Sequence, residues 1–114
     1  MEYLDIELKD GIVFLNGSMT KSSKARSLSN QTLDGMNIVK INNILDLDKN
    51  MHLLDKITID INSITKIDTV GLAVLMSWFR CAKENKLEIL FRNTNDKINY
   101  ACRLYGLANI LPLN

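Results

Sequence analysis

The stretch I-T-K-I-D-T-V-G-L-A-V-L-M-S-W-F, residues 64–79, decides the fold, because it predicts a strand that turns sharply into an apolar helix. Just before it, residues 56–61 alternate apolar and polar side chains and are rich in β-branched ones, which is typical of a half-buried strand. Asp68 and Thr69 follow, and either side chain could accept a hydrogen bond from the first helical turn. We therefore expect one of these two residues to be the N-cap.

Gly71 falls inside the first turn of the predicted helix. Glycine costs about 1 kcal/mol there relative to alanine, so the position must gain something from the missing side chain. A tight strand-to-helix turn or a close approach of another backbone would require it. We interpret this glycine as geometric and not as part of a phosphate-binding loop.

The helix that follows is apolar on two opposite faces. One face has the i, i+3, i+4, i+7 pattern of a core stripe, formed by Leu72, Leu75, Met76, Phe79 and Ala82. The other face is formed by Val70, Val74, Trp78 and Cys81, with Ser77 as its polar neighbour. An apolar outer face needs a cover, which is another helix of the same domain, a partner protein or a cofactor. We expect Val74 and Trp78 to be partly exposed in the isolated domain.

The composition limits the size and class of the protein. A chain of 114 residues with 46% apolar and 24% charged side chains fits one globular domain, residues 1–114. The net charge is +1 and no segment clusters Lys and Arg with aromatic residues, so nucleic acid is not expected as a partner. The N-terminus lacks a secretory pattern, and the longest apolar stretch, residues 70–79, is too short to span a membrane. We expect a cytoplasmic protein.

The sequence offers few residues for catalysis or metal binding. Cys81 and Cys102 lie far apart, without a C-x-x-C motif, so we expect reduced thiols and no zinc site. His52 is the only histidine, which excludes paired-histidine metal motifs and leaves little for a histidine-based triad. We therefore expect no metal, no cofactor and no enzymatic activity.

The N-terminal half predicts a hairpin followed by a loop and a helix. Residues 4–9 and 12–16 read as strands, and Asp10-Gly11 between them favours a type I′ turn. Residues 18–34 predict a solvated loop with a short helical piece. A helical stripe of Ile38, Ile41, Ile44, Leu45 and Asp48 predicts a core helix over residues 36–47.

The C-terminal half predicts a β-α-β unit and a last helix. Residues 87–91 form the next strand, which one helix separates from the strand at 56–61, so the two strands should be parallel. Asn93 or Asn95 caps the last helix and Gly106 ends it. Its expected buried stripe consists of Ile98, Ala101, Cys102 and Tyr105. The order β-β-α-β-α-β-α predicts an α/β domain with a mixed four-stranded sheet.

At I-D-T-V-G-L-A-V-L, residues 67–75, the sequence resembles the STAS domains, a family of sulfate-transporter C-terminal regions and anti-sigma-factor antagonists. The order of elements matches theirs. Residues 95–112, N-D-K-I-N-Y-A-C-R-L-Y-G-L-A-N-I-L-P, look most like the STAS subunit of Mla-type phospholipid ABC transporters. The resemblance is good from residue 57 onward, whereas residues 18–54 are longer than expected for that subunit.

The resemblance implies a binding module whose contact surface begins at Thr69, the family's phosphorylatable or partner-contacting hydroxyl position. It implies an accessory subunit that binds and stabilises or regulates the transporter ATPase, and that lies at the inner membrane through this partner. The alternative is an anti-sigma-factor antagonist, a phosphorylation switch at Thr69 that binds a kinase. The expected partner-binding residues are Asp68, Thr69, Val70, Gly71, Ala73, Val74, Ser77 and Trp78.

Overall fold

The computed structural model describes residues 2–114, which form a mixed five-stranded sheet with two α-helices and four short 3-10 turns. The sheet order is β3-β1-β2-β4-β5. Only β1 and β2 are antiparallel, and the other neighbouring pairs are parallel. The strands are β1 (Tyr3–Lys9), β2 (Ile12–Met19), β3 (Lys24–Ser27), β4 (Lys56–Ile67) and β5 (Glu88–Arg92), and the helices are α1 (Thr69–Glu84) and α2 (Asp96–Leu104).

Two predicted supersecondary units are confirmed. Asp10 and Gly11 join β1 to β2 with φ values of 54° and 76°, the paired positive angles that a type I′ turn requires. Strands β4 and β5 are parallel and flank α1 in the chain, as expected for a β-α-β unit. Local turn chemistry and periodicity were sufficient to identify both units.

The prediction of four strands is wrong, because β3 lies inside the segment predicted to be a solvated loop. It pairs in parallel with β1 from Tyr3 to Ile6. On its other side, the N–H of Ala25 donates to the Met36 carbonyl, and the Ala25 carbonyl accepts from Gly35, both at 2.8 Å. The sequence K-A-R-S has no β-branched or aromatic residue, so propensity gives no sign of a strand held by its neighbours.

The prediction of a helix over residues 36–47 is also wrong. The chain there forms separate 3-10 turns, and the side chains of Asn37 and Asn43 each accept a hydrogen bond from the N–H two residues ahead. Such local bonds compete with a continuous helix, so a new short turn begins after each of these asparagines. The turns are Gln31–Leu33, Ile38–Lys40, Ile44–Asp46 and Met51–Leu53. We call residues 31–53 the 3-10 segment.

One face of the sheet carries the core. Ile57, Ile59 and Ile61 of β4 are buried in one apolar cluster with α1, α2 and the 3-10 segment. The opposite face of the sheet is solvated, with Asp5 and Glu7 of β1 exposed. None of the helices in this described part has the length and hydrophobicity that a membrane crossing requires.

Candidate functional site

Asp68 is the N-cap of α1 and also binds the loop after β2. Its Oδ1 accepts a hydrogen bond from the Gly71 N–H at 2.9 Å, and its Oδ2 accepts one from the Lys21 N–H at 3.0 Å. One carboxylate therefore satisfies a free amide of the first helical turn and fixes the loop beside it. This settles which of the two expected candidates caps the helix.

Thr69 is the first residue of α1, and its side chain is exposed. Its hydroxyl makes no hydrogen bond to any residue between 2 and 114. Because Asp68 caps the helix, Thr69 does not have that role. The hydroxyl lies at the positive end of the helix dipole, where added negative charge is favourable. A contact with a partner and phosphorylation both remain predictions for this position.

Gly71 is needed because the end of β2 passes directly against it. A Cβ at this position would collide with the carbonyl oxygen of Met19 and lie 2.8 Å from Cγ1 of Ile67. No side chain fits there without moving the backbone. The geometric interpretation of this glycine is confirmed, and since Gly71 is buried it shapes the surface without forming part of it.

Val74 and Trp78 do not lie on an open surface, so the expectation that they are partly exposed is wrong. Their exposed fractions are 4% and 1%. The indole Nε1 of Trp78 donates to the Ile41 carbonyl, and Cys81 Sγ donates to Asn43 Oδ1 at 2.8 Å. The cover is therefore intramolecular, and it is the 3-10 segment that packs on this face of α1.

The surface that α1 leaves open is a different one. Thr69, Ala73 and Arg80 are exposed, and Met76 between them is half-buried although it was expected in the core stripe. Together with Tyr105 and Leu107, which follow α2, they form a shallow hollow of about 330 Å³. We call it the α1 groove; it is lined by Thr69, Leu72, Ala73, Met76, Arg80, Tyr105 and Leu107. Val70 and Ser77 are half-buried beside it.

Tyr105 lines this groove because α2 ends at that residue. Its side chain is 52% exposed, contrary to the expectation that it belongs to the buried stripe with Ile98 and Cys102. Tyr105 is the C-cap, and Gly106 follows with φ 71°, so the helical periodicity no longer predicts where the ring points. The Leu107 N–H then donates to the Cys102 carbonyl at 2.8 Å and closes the turn.

Asn95 fixes α2 beside the end of β4. Its Oδ1 accepts from the Ile98 N–H, so Asn95 rather than Asn93 is the N-cap. Its Nδ2 donates to the carbonyls of Asn62 and Ile64 at 3.0 and 2.9 Å. The same side chain therefore caps α2 and holds it against the strand that leads into α1.

A buried hydroxyl cluster supports the loop that contacts Asp68. Thr20 Oγ1 donates to Glu2 Oε2 at 2.7 Å, and Ser23 Oγ donates to Ser18 Oγ at 3.1 Å. Hydrogen bonds from Lys66 and Thr20 hold the pKa of Glu2 below its ordinary value. Sequence reasoning missed this cluster, because its residues come from three separate parts of the chain.

Asp60 forms a second polar cluster, on β4. Arg92 and Asn93 donate to its Oδ2 at 3.1 and 2.8 Å, and the Asn62 N–H donates to its Oδ1 at 3.1 Å. Burial alone would raise the pKa of Asp60, but these hydrogen bonds outweigh it, so the pKa lies below its ordinary value. The cluster joins β4 to β5, and none of its members lines the α1 groove.

Comparison with known proteins agrees with this architecture. The family profile described as "Mlab, STAS domain" matches residues 4–112. Two curated proteins are similar to this chain, both called intermembrane phospholipid transport system binding protein MlaB, from Escherichia coli K12 and Shigella flexneri. Each is 34% identical over 55 residues, which is 47% of this chain. The match spans 57% of the length of each relative.

Proposed function

This chain belongs to the family of MlaB-like STAS domains, and we propose on that basis that it is an accessory subunit of a phospholipid-trafficking ABC transporter. In this proposal it binds the transporter ATPase and stabilises or regulates it, without being an enzyme itself. The subunit is then cytoplasmic and lies at the inner membrane through the ATPase. Its contribution is to the maintenance of outer-membrane lipid asymmetry. The names of the two relatives, which refer to intermembrane phospholipid transport, support this assignment.

The observation that carries the proposal is the open side of α1 at the α1 groove. It begins at the exposed Thr69, the residue that the family resemblance marks as a contact, and it continues past Ala73 to Arg80. Hydrogen bonds of Asp68 and close packing at Gly71 hold the first turn rigidly. A rigid, partly apolar surface loses little conformational entropy when a partner binds.

Part of the expected partner-binding set is therefore reassigned. Val74 and Trp78 are core residues, and Asp68 and Gly71 position the first turn of α1. Thr69 and Ala73 stay in the proposed docking surface, joined by Met76, Arg80 and Tyr105. Val70 and Ser77 are half-buried and form its margin.

A phosphorylation switch is the second candidate function, and one observation favours it. The Thr69 hydroxyl is exposed, is not used as the helix cap and lies at the N-terminus of α1. A phosphate there would be stabilised by the helix dipole and would add charge and bulk to the docking surface. An anti-sigma-factor antagonist that binds a kinase would use the residue in this way.

Co-purification from cells separates the two functions. The tagged full chain is expected to retain the ATPase subunit of the phospholipid transporter of the same organism, in a fixed ratio and without phosphate on Thr69. A chain that retains a GHKL-type kinase instead, and that carries phosphate on Thr69 by mass spectrometry, would support the switch. A chain that retains neither protein would contradict both.

A further inference from the structure

The lining of the α1 groove points to the chemistry of the partner segment that enters it. Its floor is apolar, formed by the buried Leu72 and the half-buried Met76, and its walls include the exposed ring of Tyr105. The volume of about 330 Å³ is at the low end of small-molecule sites, which hold about 300–1,000 Å³. An open hollow of this size suits one or two apolar side chains of a partner.

Arg80 gives the groove a positive charge. It is exposed, and its contact to Ser77 Oγ is long, at 3.4 Å. Across residues 2–114 it forms no salt bridge, not even to Glu84 one turn further along α1. None of the other residues that line the groove is an Asp, Glu, Lys, Arg or His. A guanidinium beside an apolar hollow favours a carboxylate partner, which it can bind through two parallel hydrogen bonds.

The residue types also match those that dominate binding energy at protein interfaces. Arginine and tyrosine are enriched among such residues, and they work best beside apolar contacts that exclude water. Arg80 and Tyr105 come from two different elements and meet at one groove. Thr69 and Arg80 are eleven residues apart on one face of α1, which is about 16 Å or three helical turns. A partner helix of similar length could lie along this face.

We propose that the α1 groove binds an amphipathic helix of the ATPase subunit, which inserts an apolar side chain beside Tyr105 and places a carboxylate on Arg80. This inference rests on the proposed function and adds the chemistry of the contact. Arg80 is then the residue that selects the partner by charge. Tyr105 is the apolar anchor, and Ala73 is small enough to let the partner backbone approach.

The test is a binding titration of the full chain with the purified ATPase subunit, at low and high salt. Arg80→Glu is expected to weaken binding by about tenfold or more, because like charges would then face each other. Lys83→Glu is the matched control, since it makes the same charge change on an exposed part of α1 that lines a different hollow, beside Phe79. It should bind within about twofold of wild type. Tyr105→Ala should weaken binding and leave the salt dependence unchanged, whereas Arg80→Gln should flatten it.

The outcomes separate this inference from the proposed function. Wild-type protein that fails to bind the ATPase subunit overturns both. Wild-type protein that binds, with Arg80→Glu and Lys83→Glu equally weak or equally strong, overturns the inference and leaves the proposed function standing. Melting curves of each variant show that a loss of binding is not a loss of folding.

Discussion

The indole Nε1 of Trp78 donates a hydrogen bond to the backbone carbonyl of Ile41, and this bond ties α1 to the 3-10 segment. Ile41 itself is 1% exposed and belongs to the same core as Trp78. The apolar face of α1 that the sequence could have offered to a partner is thereby used inside the domain. The docking surface that we propose lies instead on the side of α1 that carries Thr69 and Arg80.

Substitutions at Trp78 should act on stability first. Trp78→Ala is expected to lower the free energy of unfolding by about 3–5 kcal/mol, as for other buried aromatic residues. Trp78→Phe keeps much of the apolar area but removes the donor to the Ile41 carbonyl, so a loss of about 1–3 kcal/mol is expected. Urea denaturation measures both.

Tyr100→Ala is the control, since Tyr100 is 62% exposed and the change should stay within about 0.5 kcal/mol of wild type. A Trp78→Ala protein as stable as this control would contradict the packing of the 3-10 segment on α1.

Local chemistry was sufficient to predict several features of the fold. Asp10-Gly11 identified the hairpin because few other dipeptides favour two positive φ angles. Gly71 was predicted to allow a close backbone approach, and the Met19 carbonyl provides it. The β-α-β unit followed from strand and helix periodicity. The hairpin and the β-α-β unit depend on local or strongly periodic signals. For Gly71 the residue type indicated a close approach, but not that Met19, far away in the chain, makes it.

The predictions that were wrong concern segments whose structure depends on contacts with residues distant in the sequence. Strand β3 forms because β1 and the backbone of Gly35 and Met36 supply its hydrogen bonds. The sequence K-A-R-S itself does not indicate these bonds. The spacing of Ile38, Ile41 and Ile44 fits an α-helical stripe. These residues are buried, but they lie in or beside two separate 3-10 turns with non-helical backbone between them. Both faces of α1 are apolar in sequence, and a helical wheel alone could not show that the domain buries both, with Leu75 on one face and Trp78 on the other.

Gly71→Ala should destabilise the protein, although the same change in most helices is stabilising by about 1 kcal/mol. The added methyl group would collide with the Met19 carbonyl, and overpacking of this kind costs about 1–3 kcal/mol. Thermal and urea unfolding measure the change. Ala73→Gly is the comparison, because it removes a methyl group from an exposed position of the same helix and should cost about 1 kcal/mol. A Gly71→Ala protein more stable than wild type would contradict the close approach.

The Asp60 cluster should make stability depend on pH in the acid range. Because the pKa of Asp60 is lowered in the folded state, the unfolded state takes up this proton more readily. Its contribution is therefore present above the ordinary value of 3.8 and is lost as the pH falls through the folded-state pKa. Asp60→Asn should flatten the fall in unfolding free energy below about pH 5.

Glu2→Gln is the control for an exposed ion pair. The ion pair of Glu2 and Lys66 is more open to solvent than that of Asp60 and Arg92. Its charge attraction should therefore largely disappear in about 1 M salt, while the contribution of the more buried Asp60 should persist. Urea denaturation across this pH range at both salt concentrations gives the comparison. Equal pH dependence in wild type and Asp60→Asn would show that the Asp60 cluster does not hold a charged carboxylate.

The last prediction separates the cap of α1, Asp68, from the proposed contact residue, Thr69. Asp68→Ala removes the acceptor for Gly71 and Lys21 and should cost about 1 kcal/mol or more of stability. Thr69→Ala should leave stability within about 0.5 kcal/mol of wild type, because its hydroxyl is exposed and does not cap the helix. Thr69→Glu should also fold normally, since a carboxylate at a helix N-terminus is favourable by about 0.3–1 kcal/mol.

Binding should not follow stability. Thr69→Glu should weaken binding although the fold is intact, because the carboxylate at residue 69 must be desolvated or displaced when the partner docks. Thr69→Glu is therefore expected to fold and to lose the ATPase subunit, as measured by a melting curve beside a binding titration. Asn42→Glu adds the same charge at an exposed position of the 3-10 segment, which packs on another face of α1, and should bind as wild type. If Thr69→Glu folds and binds as tightly as Asn42→Glu, Thr69 is an exposed residue outside the interface, and the docking surface must lie elsewhere on the domain.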